Sequence, residues 1–545
     1  MFDKNIIKRK GSVAKSHSYI KNLLQHWQDF RLKLFLEGIL TGAFAGVIVV
    51  AFRFLLAWTG TERPKLFAFL ESSAFGWTAL LFVCLIGIGV ILAWLIKMVP
   101  MSTGSGIPQV KGILAGLIGA GSWFKIIGAK FIGGLLGIGM GLSMGREGPS
   151  VQLGAAAGQG VSRLLKRPAL EEKYLLTSGA AAGLSAAFNA PLAGVIFALE
   201  ELHKSFSPVV LASTVAASVT ADVVTRYVFG QGPVFDFHNI PLLPFHYYLY
   251  VVVLGLIIGA FGVVFNSGLV KFQIFYEKLT FMPSQLKPAI PLVVAGFLGF
   301  FLPQALGGGA HLINSLPQMH YTFYLLLVIL VVKFLFTMLS YGTGVQGGIF
   351  MPLLAIGALS GNVYGSIAAQ YLHVAPIYVN NFIILAMAAY FSAIVKAPIT
   401  GAILLMEMTG NMEQLLPLVA VCMSAYIASD LLKGKPIYDV LLNRILAKRP
   451  AQKLSPQVHD DEKHILEKVV GLEAPVCNRM ICDIDWPENS LLVGIRRGDA
   501  EMIPAPDTVV CPGDYLIVMS GTVAFSRVHS FLQVLTGEEA MEAAH

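Results

Sequence analysis

Charge is scarce in this sequence. Of 545 residues only 13% are Asp, Glu, Lys or Arg, while 55% are hydrophobic; a soluble domain carries roughly 25% charged residues. That deficit excludes an ordinary water-soluble chain. The net charge of +7 comes without the basic–aromatic interleaving of nucleic-acid binders, so no nucleic acid polymer is expected as a partner. Cysteine is also sparse: Cys84, Cys422, Cys477, Cys482 and Cys511 form no C-x2-C pair. Reduced thiols are therefore expected, with no metal site from Cys477, Cys482 and Cys511. H-E-x-x-H is missing, and no serine nucleophile comes with a histidine partner in the apolar segments. His203 stands beside Glu201 at a helix end and reads as interfacial. The chain is expected not to be an enzyme and to need no cofactor.

Long apolar runs are what the sequence does have, and mean hydropathy is +0.70. Residues 77–96 (WTALLFVCLIGIGVILAWLI) contain no charge, and twenty such residues cross roughly 30 Å of hydrocarbon. Similar runs lie near 35–58, 246–270, 289–306, 323–340, 379–395 and 415–432. The pattern predicts a polytopic α-helical membrane protein. Shorter apolar stretches broken by Gly or Pro, at 107–118, 148–160 and 349–361, are expected to be re-entrant or partly spanning, buried in protein or lining a watery cavity. Eight basic residues among the first 33 (Lys4, Lys8, Arg9, Lys10, Lys15, Lys21, Arg31, Lys33) face only Asp3 and Asp29. The positive-inside rule then places the N-terminus in the cytoplasm, and the first apolar run is too late and too long for a cleaved signal peptide.

Inside this apolar sequence sits GLSMGREGPSV, residues 141–151, with Arg146 and Glu147 at membrane depth. Each costs roughly 2.5–3.5 kcal/mol there even on lenient insertion scales. The stretch has a partner in the second half. Gly145, Pro149, Gly154, Ala155 and Gly158 match Gly348, Pro352, Gly357, Ala358 and Gly361 at an offset of 203. Ser185, Ala186, Ala190, Pro191, Gly194, Ile196 and Glu200 match Ser392, Ala393, Ala397, Pro398, Gly401, Ile403 and Glu407 at 207. Two matches in the same order argue for duplication, which in transporters places substrate sites at the repeat interface. Proline fits the first turn of a helix, and a preceding glycine permits a sharp turn or a close ligand approach. GSGIP (104–108), GREGP (145–149) and GIFMP (348–352) therefore read as loops opening helices. Their exposed N–H groups bind anions without a full cation.

GSGIP (104–108), GREGP (145–149), GGIFMP (347–352) and GKPIY (434–438) together resemble, in order and spacing, the anion-pathway motifs of the CLC chloride channel/transporter family, over about residues 33–447. The resemblance implies an inverted-repeat, all-α fold of about 18 tilted and re-entrant helices and a homodimer with one pathway per subunit in the cell (inner or plasma) membrane. It also implies chloride and protons as substrates. Ser105 and Tyr438 would donate hydroxyls to chloride, with the backbone of Gly106, Ile107, Arg146, Gly148, Ile349 and Phe350 lining the anion sites. Glu147 would be the external gating acid, Lys130 a supporting buried lysine, and Glu201 the inner proton acid of an exchanger. Glu200, repeated as Glu407, reads as structural, capping or pairing near a helix end. Ser105 in its motif favours chloride over nitrate, and the retained serine and tyrosine favour it over fluoride. Proton-coupled exchange is the expected activity, a passive ligand-gated channel of the same fold the alternative.

Composition changes after about residue 447. A basic N-terminal segment (1–32) and the transport domain (33–447, halves about 33–230 and 245–447) are followed by a polar linker (448–465) and a small cytoplasmic α/β domain (466–545). SLLVGIR (490–496) and DYLIVMSG (514–521) read as strands, RGDAE and CPGD as turns, and 522–535 as a closing helix. The phrase resembles the C-terminal ligand-binding subdomain of regulators of potassium conductance, the TrkA-C type. That implies a regulatory dimer with a small-molecule ligand, in some relatives a cyclic dinucleotide; a dimerisation cap without ligand is the other reading.

Overall fold

The computed structural model describes residues 4–204, 208–235, 237, 240–319, 321–448, 463–471, 474–498, 500–521 and 524–537. Side chains are described from residue 32, except 208–209, 463–464, 500–501 and 526. The chain divides into two compact units, Met1–Ile445 and Leu446–His545.

The first unit is built from two series of eight helices. The first is α1 (Lys4–Glu71), α2 (Phe75–Met98), α3 (Ile107–Leu114), α4 (Trp123–Gly139), α5 (Glu147–Leu164), α6 (Ala169–Phe188), α7 (Pro191–Phe197) and α8 (Pro208–Phe229). A π-helical turn, Ala198–His203, follows α7. The second is α9 (Tyr248–Lys278), α10 (Ala289–Phe301), α11 (Ala310–Ser315), α12 (Phe323–Gly342), α13 (Phe350–Tyr371), α14 (Val379–Val395), α15 (Pro398–Thr409) and α16 (Leu415–Leu431); α17 (Ile437–Lys448) follows. The offset grows from 203 at the start of α5/α13 to 207 at α7/α15, so the insertion falls in the intervening segment.

Among the described residues seven segments are long and apolar enough to cross a membrane: 32–71, 75–98, 245–278, 323–342, 350–371, 376–395 and 412–431. This corrects two expectations. The run at 289–306 supplies only the 13-residue α10. The stretch at 349–361 is not a short piece but the start of the 22-residue α13. By contrast α3 and α11, of 8 and 6 residues, are too short to span, since a helix rises about 1.5 Å per residue.

The core follows the small residues. α5 is buried from Glu147 to Ser162. A Cβ on Gly154 or Gly158 would strike the carbonyl of Gly179 or Leu175 on α6. Without hydrophobic driving force in lipid, such close backbone approach is how membrane helices gain dispersion contacts. Gly357 and Gly361 of α13 meet α14 at Ala386 and Phe382 in the same way.

The halves are related by a local two-fold, seen in their reciprocal contacts. Glu200 accepts from the amides of Ile399 (3.3 Å) and Thr400 (2.8 Å) at the start of α15. Glu407 accepts from Leu192 (3.1 Å) and Ala193 (2.7 Å) at the start of α7. Each repeat thus caps the other's equivalent helix, where carboxylates are favoured.

The second unit is a four-stranded antiparallel sheet in the order β1-β4-β2-β3, from β1 (Lys463–Val469), β2 (Ser490–Arg497), β3 (Ala500–Met502) and β4 (Tyr515–Gly521), with α18 (Phe525–Thr536). Leu466, Ile495, Leu516, Val518, Val528 and Leu532 form its core. β1 starts inside the stretch expected to be linker, because its short alternation is masked by flanking Lys and His. A bulge falls between Leu492 and Gly494.

Candidate functional site

Two loops carrying the repeated motif meet at the centre of the first unit. Gly145 N donates to Gly348 O at 2.7 Å, and Gly348 N returns a bond to Gly145 O at 2.8 Å. This antiparallel bridge joins equivalent residues of the two halves and brings the starts of α5 and α13 together. The motif glycines serve close approach here rather than a left-handed turn. A Cβ on Gly145 would collide with Glu147 Oε2, and one on Gly148 with Ser105 Oγ. In GSGIP the turn itself needs glycine: Gly104 has φ +61° and Gly106 φ +93°.

Glu147, the first residue of α5, is fully buried. Its Oε2 accepts from the amide of Met351 at 3.3 Å, so an acid from one half caps the helix of the other. Oε1 makes no hydrogen bond, and Arg146 Nε, its ion-pair partner at 4.0 Å, makes none either. Ser105 and Tyr438 are 1% and 0% exposed, yet Ser105 Oγ and Tyr438 OH make no hydrogen bond. An unpaired buried hydroxyl costs about 1–3 kcal/mol, and two of them on separate elements are what a dehydrated anion would satisfy. The amides of Ile349 and Phe350 donate to no backbone carbonyl outside the helices among the described residues. The Phe350 ring packs against Phe391, Phe188 and Phe197, with centroids 4.5, 5.2 and 6.3 Å away.

Lys130 is fully buried and donates to Ser102 O (2.9 Å) and Gly104 O (2.6 Å), holding the Ser105 loop. The second half contains a twin that sequence reading missed. Lys333, also fully buried, donates to Ala305 O (3.0 Å) and Gly307 O (2.5 Å). Every residue in that contact lies 203 positions beyond its counterpart, and Gly307 and Gly309 repeat the left-handed φ values at +64° and +99°. The signal was available in the repeat offset. The loop of Gly307–Gly309 lines a cavity of about 740 Å³ that also reaches Arg63, Arg146, Glu147 and His311.

Glu201 lies in the π-helical turn and is only 3% exposed, not the solvated interfacial acid that an isolated helix-end glutamate would be. Lys111 Nζ donates to its Oε1 at 2.7 Å and also contacts Asp439 Oδ1. Asp439 Oδ2 pairs with Lys204 at 3.2 Å. Lys111 and Asp439 were not singled out from sequence, because they stand 90 and 238 residues from Glu201. No group of three or more His, Cys, Asp or Glu side chains suited to a metal occurs among the described residues.

The profile described as "Voltage gated chloride channel" matches residues 88–430, and that of the TrkA-C domain matches 465–532. Two H(+)/Cl(-) exchange transporters named ClcA, from Salmonella paratyphi B and Salmonella newport, are each 33% identical over 442 residues, spanning 79% of this chain and 93% of theirs. A solved slow cyanobacterial Cl-/H+ antiporter superposes with TM-score 0.73 at 30% identity, over 76% of this chain and 98% of its own. A CLC-type fluoride/proton antiporter gives TM-score 0.62 at 24% identity, over 73% and 96%, a likeness of fold alone.

Proposed function

The chain belongs to the voltage-gated chloride channel family, is a multi-pass membrane protein and carries a TrkA-C domain at its C-terminal end; from that premise we propose that it exchanges chloride for protons. The observation that carries the reading is the juxtaposition at α5 and α13. A fully buried carboxylate, Glu147, caps a helix across the repeat interface, while the buried hydroxyls of Ser105 and Tyr438 lack partners. Chloride would accept from those hydroxyls and from the amides of Ile349 and Phe350. Ionised, Glu147 occupies the outer anion position on the Met351 amide; protonated, it gives up that position to chloride. Lys130 fixes the loop that aims Ser105, and Gly106, Ile107, Arg146 and Gly148 contribute backbone and local field. Glu201 passes the proton at the inner end of the route.

Chloride rather than fluoride fits because both hydroxyls are retained. The proposal includes a homodimer in the cell membrane with both termini cytoplasmic, no cofactor, no enzymatic activity, and regulation by a small molecule at the C-terminal domain. The test is reversal potential in liposomes under combined chloride and proton gradients. Exchange displaces the reversal from the chloride Nernst potential as the pH gradient changes. A reversal that follows chloride alone at every pH gradient would overturn exchange in favour of a passive channel.

A further inference from the structure

One ammonium group joins the candidate proton acid to both hydroxyl-bearing elements of the chloride site. Lys111 sits on α3, whose N-terminal loop carries Ser105. Asp439 directly follows Tyr438 on α17. Lys111 Nζ bonds Glu201 Oε1 at 2.7 Å and pairs with Asp439 as well. Exposure rises along the chain of charges: side chains are 4% exposed at Glu201, 7% at Lys111, 30% at Asp439 and 56% at Lys204. The cluster therefore leads from a buried acid to water, and all four residues lie outside the seven long spans.

We propose that Lys111 is a positioning residue that couples protonation of Glu201 to the opening between Ser105 and Tyr438; this rests on the reading of Glu201 as the inner proton acid. With Glu201 ionised, two lysines and two carboxylates balance, and Lys111 is shared between Glu201 and Asp439, holding α3 and α17 together. When Glu201 takes a proton from water, Lys111 keeps Asp439 as its one anionic partner. The ammonium moves toward Asp439, and the ends of α3 and α17 shift relative to each other. No bond other than the O–H of Glu201 forms. The other groups around the acid do not duplicate this role. His203 packs beside Tyr174 at 6.4 Å between centroids, Glu200 is engaged at the start of α15, and the Tyr438 hydroxyl makes no hydrogen bond.

Removing an opposite charge within hydrogen-bond reach shifts a carboxylate by roughly one to three pH units, which sets the expected effects. In full-length protein in liposomes, the pH on the Glu201 side that gives half-maximal chloride-driven proton flux is measured. Lys111→Met should move it upward by about one unit or more, since the carboxylate loses its cation. Asp439→Asn should move it downward, since the acid then has Lys111 to itself. Lys111→Arg should restore the wild-type profile. Opposite signs from two neighbours are not what mere loss of packing produces. Unchanged profiles in both Lys111→Met and Asp439→Asn, with Glu201→Gln uncoupled, would overturn the clamp. If Glu201→Gln still moves protons like the wild type, the proton-acid reading fails and the clamp falls with it. Should Lys111→Met not fold, Asp439→Asn and Lys111→Arg decide by the same profile.

Discussion

Glutamine at position 147 keeps a carbonyl oxygen for the Met351 amide and removes the proton site. Glu147→Gln is therefore expected to fold, pass chloride and move no protons, read as chloride efflux without a pH change in liposomes. Chloride-driven alkalinisation persisting in that variant would count against the gate. Tyr438→Phe tests the other side of the pathway. Its hydroxyl has no partner within the protein, so its loss should leave the chloride-free melting temperature level or slightly higher. A hydrogen bond to a charged group contributes about 1.5–3 kcal/mol, so chloride affinity should fall about tenfold or more; calorimetric titration of chloride checks this. The roles given to Glu147 and Tyr438 are what the family resemblance implies, whereas the loops GSGIP, GREGP and GIFMP were legible in the sequence itself, because a loop opening a helix demands Gly and Pro at fixed spacing. Lys111 was not, because its meaning arises only when α3, the π-helical turn and α17 meet.

At the scale of elements, duplication makes each half a control for the other. Lys130 and Lys333 hold equivalent loops by equivalent pairs of carbonyls, but only the first loop presents a hydroxyl, Ser105; its counterpart is Gly308. Lys130→Met and Lys333→Met should each cost about 1.5–3 kcal/mol per charged hydrogen bond lost, seen as comparable falls in melting temperature. Chloride affinity measured on the folded fraction should drop in Lys130→Met alone. Equal loss in both would mean that the lysines act on chloride through the general field rather than through the Ser105 loop. The repeat itself was readable from Pro191/Pro398 and Glu200/Glu407. Capping or pairing by Glu200 and Glu407 was expected from the sequence; its reciprocity was not, because reciprocity is a property of two chains of helices meeting across an axis. Likewise the Gly and Pro breaks of α13 mimic those of re-entrant segments in the sequence, whereas proline at its third position only starts the helix.

In the whole chain, the C-terminal unit has its own core and its own electrostatic tie. Asp514 of the CPGD turn is buried, which alone would raise its carboxyl. The bidentate Arg497 (2.8 Å to each oxygen) and the Cys511 amide (2.8 Å) outweigh burial and hold it below the ordinary carboxylate value. A carboxylate lowered in the folded state adds stability that is complete above its unfolded value, about pH 4, and is lost as pH falls through the lower folded value. Melting of the C-terminal unit within the full chain should therefore hold from neutral pH to about pH 5 and fall below pH 4. Asp514→Asn should lower it by about 1.5–3 kcal/mol at neutral pH and flatten the acid limb, followed by limited proteolysis of the tail. The variant leaves every residue of the proposed anion pathway in place, as does deletion of 461–545. If the tail only regulates, both changes should preserve basal chloride–proton exchange in liposomes and abolish the response to a cyclic dinucleotide probe. If the tail instead supports assembly, the deletion should lose folded membrane protein while Asp514→Asn, with the tail loosened but present, loses yield in proportion to the tail's melting. Size-exclusion profiles of the two variants beside their fluxes separate these outcomes, because a purely regulatory tail leaves the elution position of the membrane unit that of an intact dimer and a structural one does not.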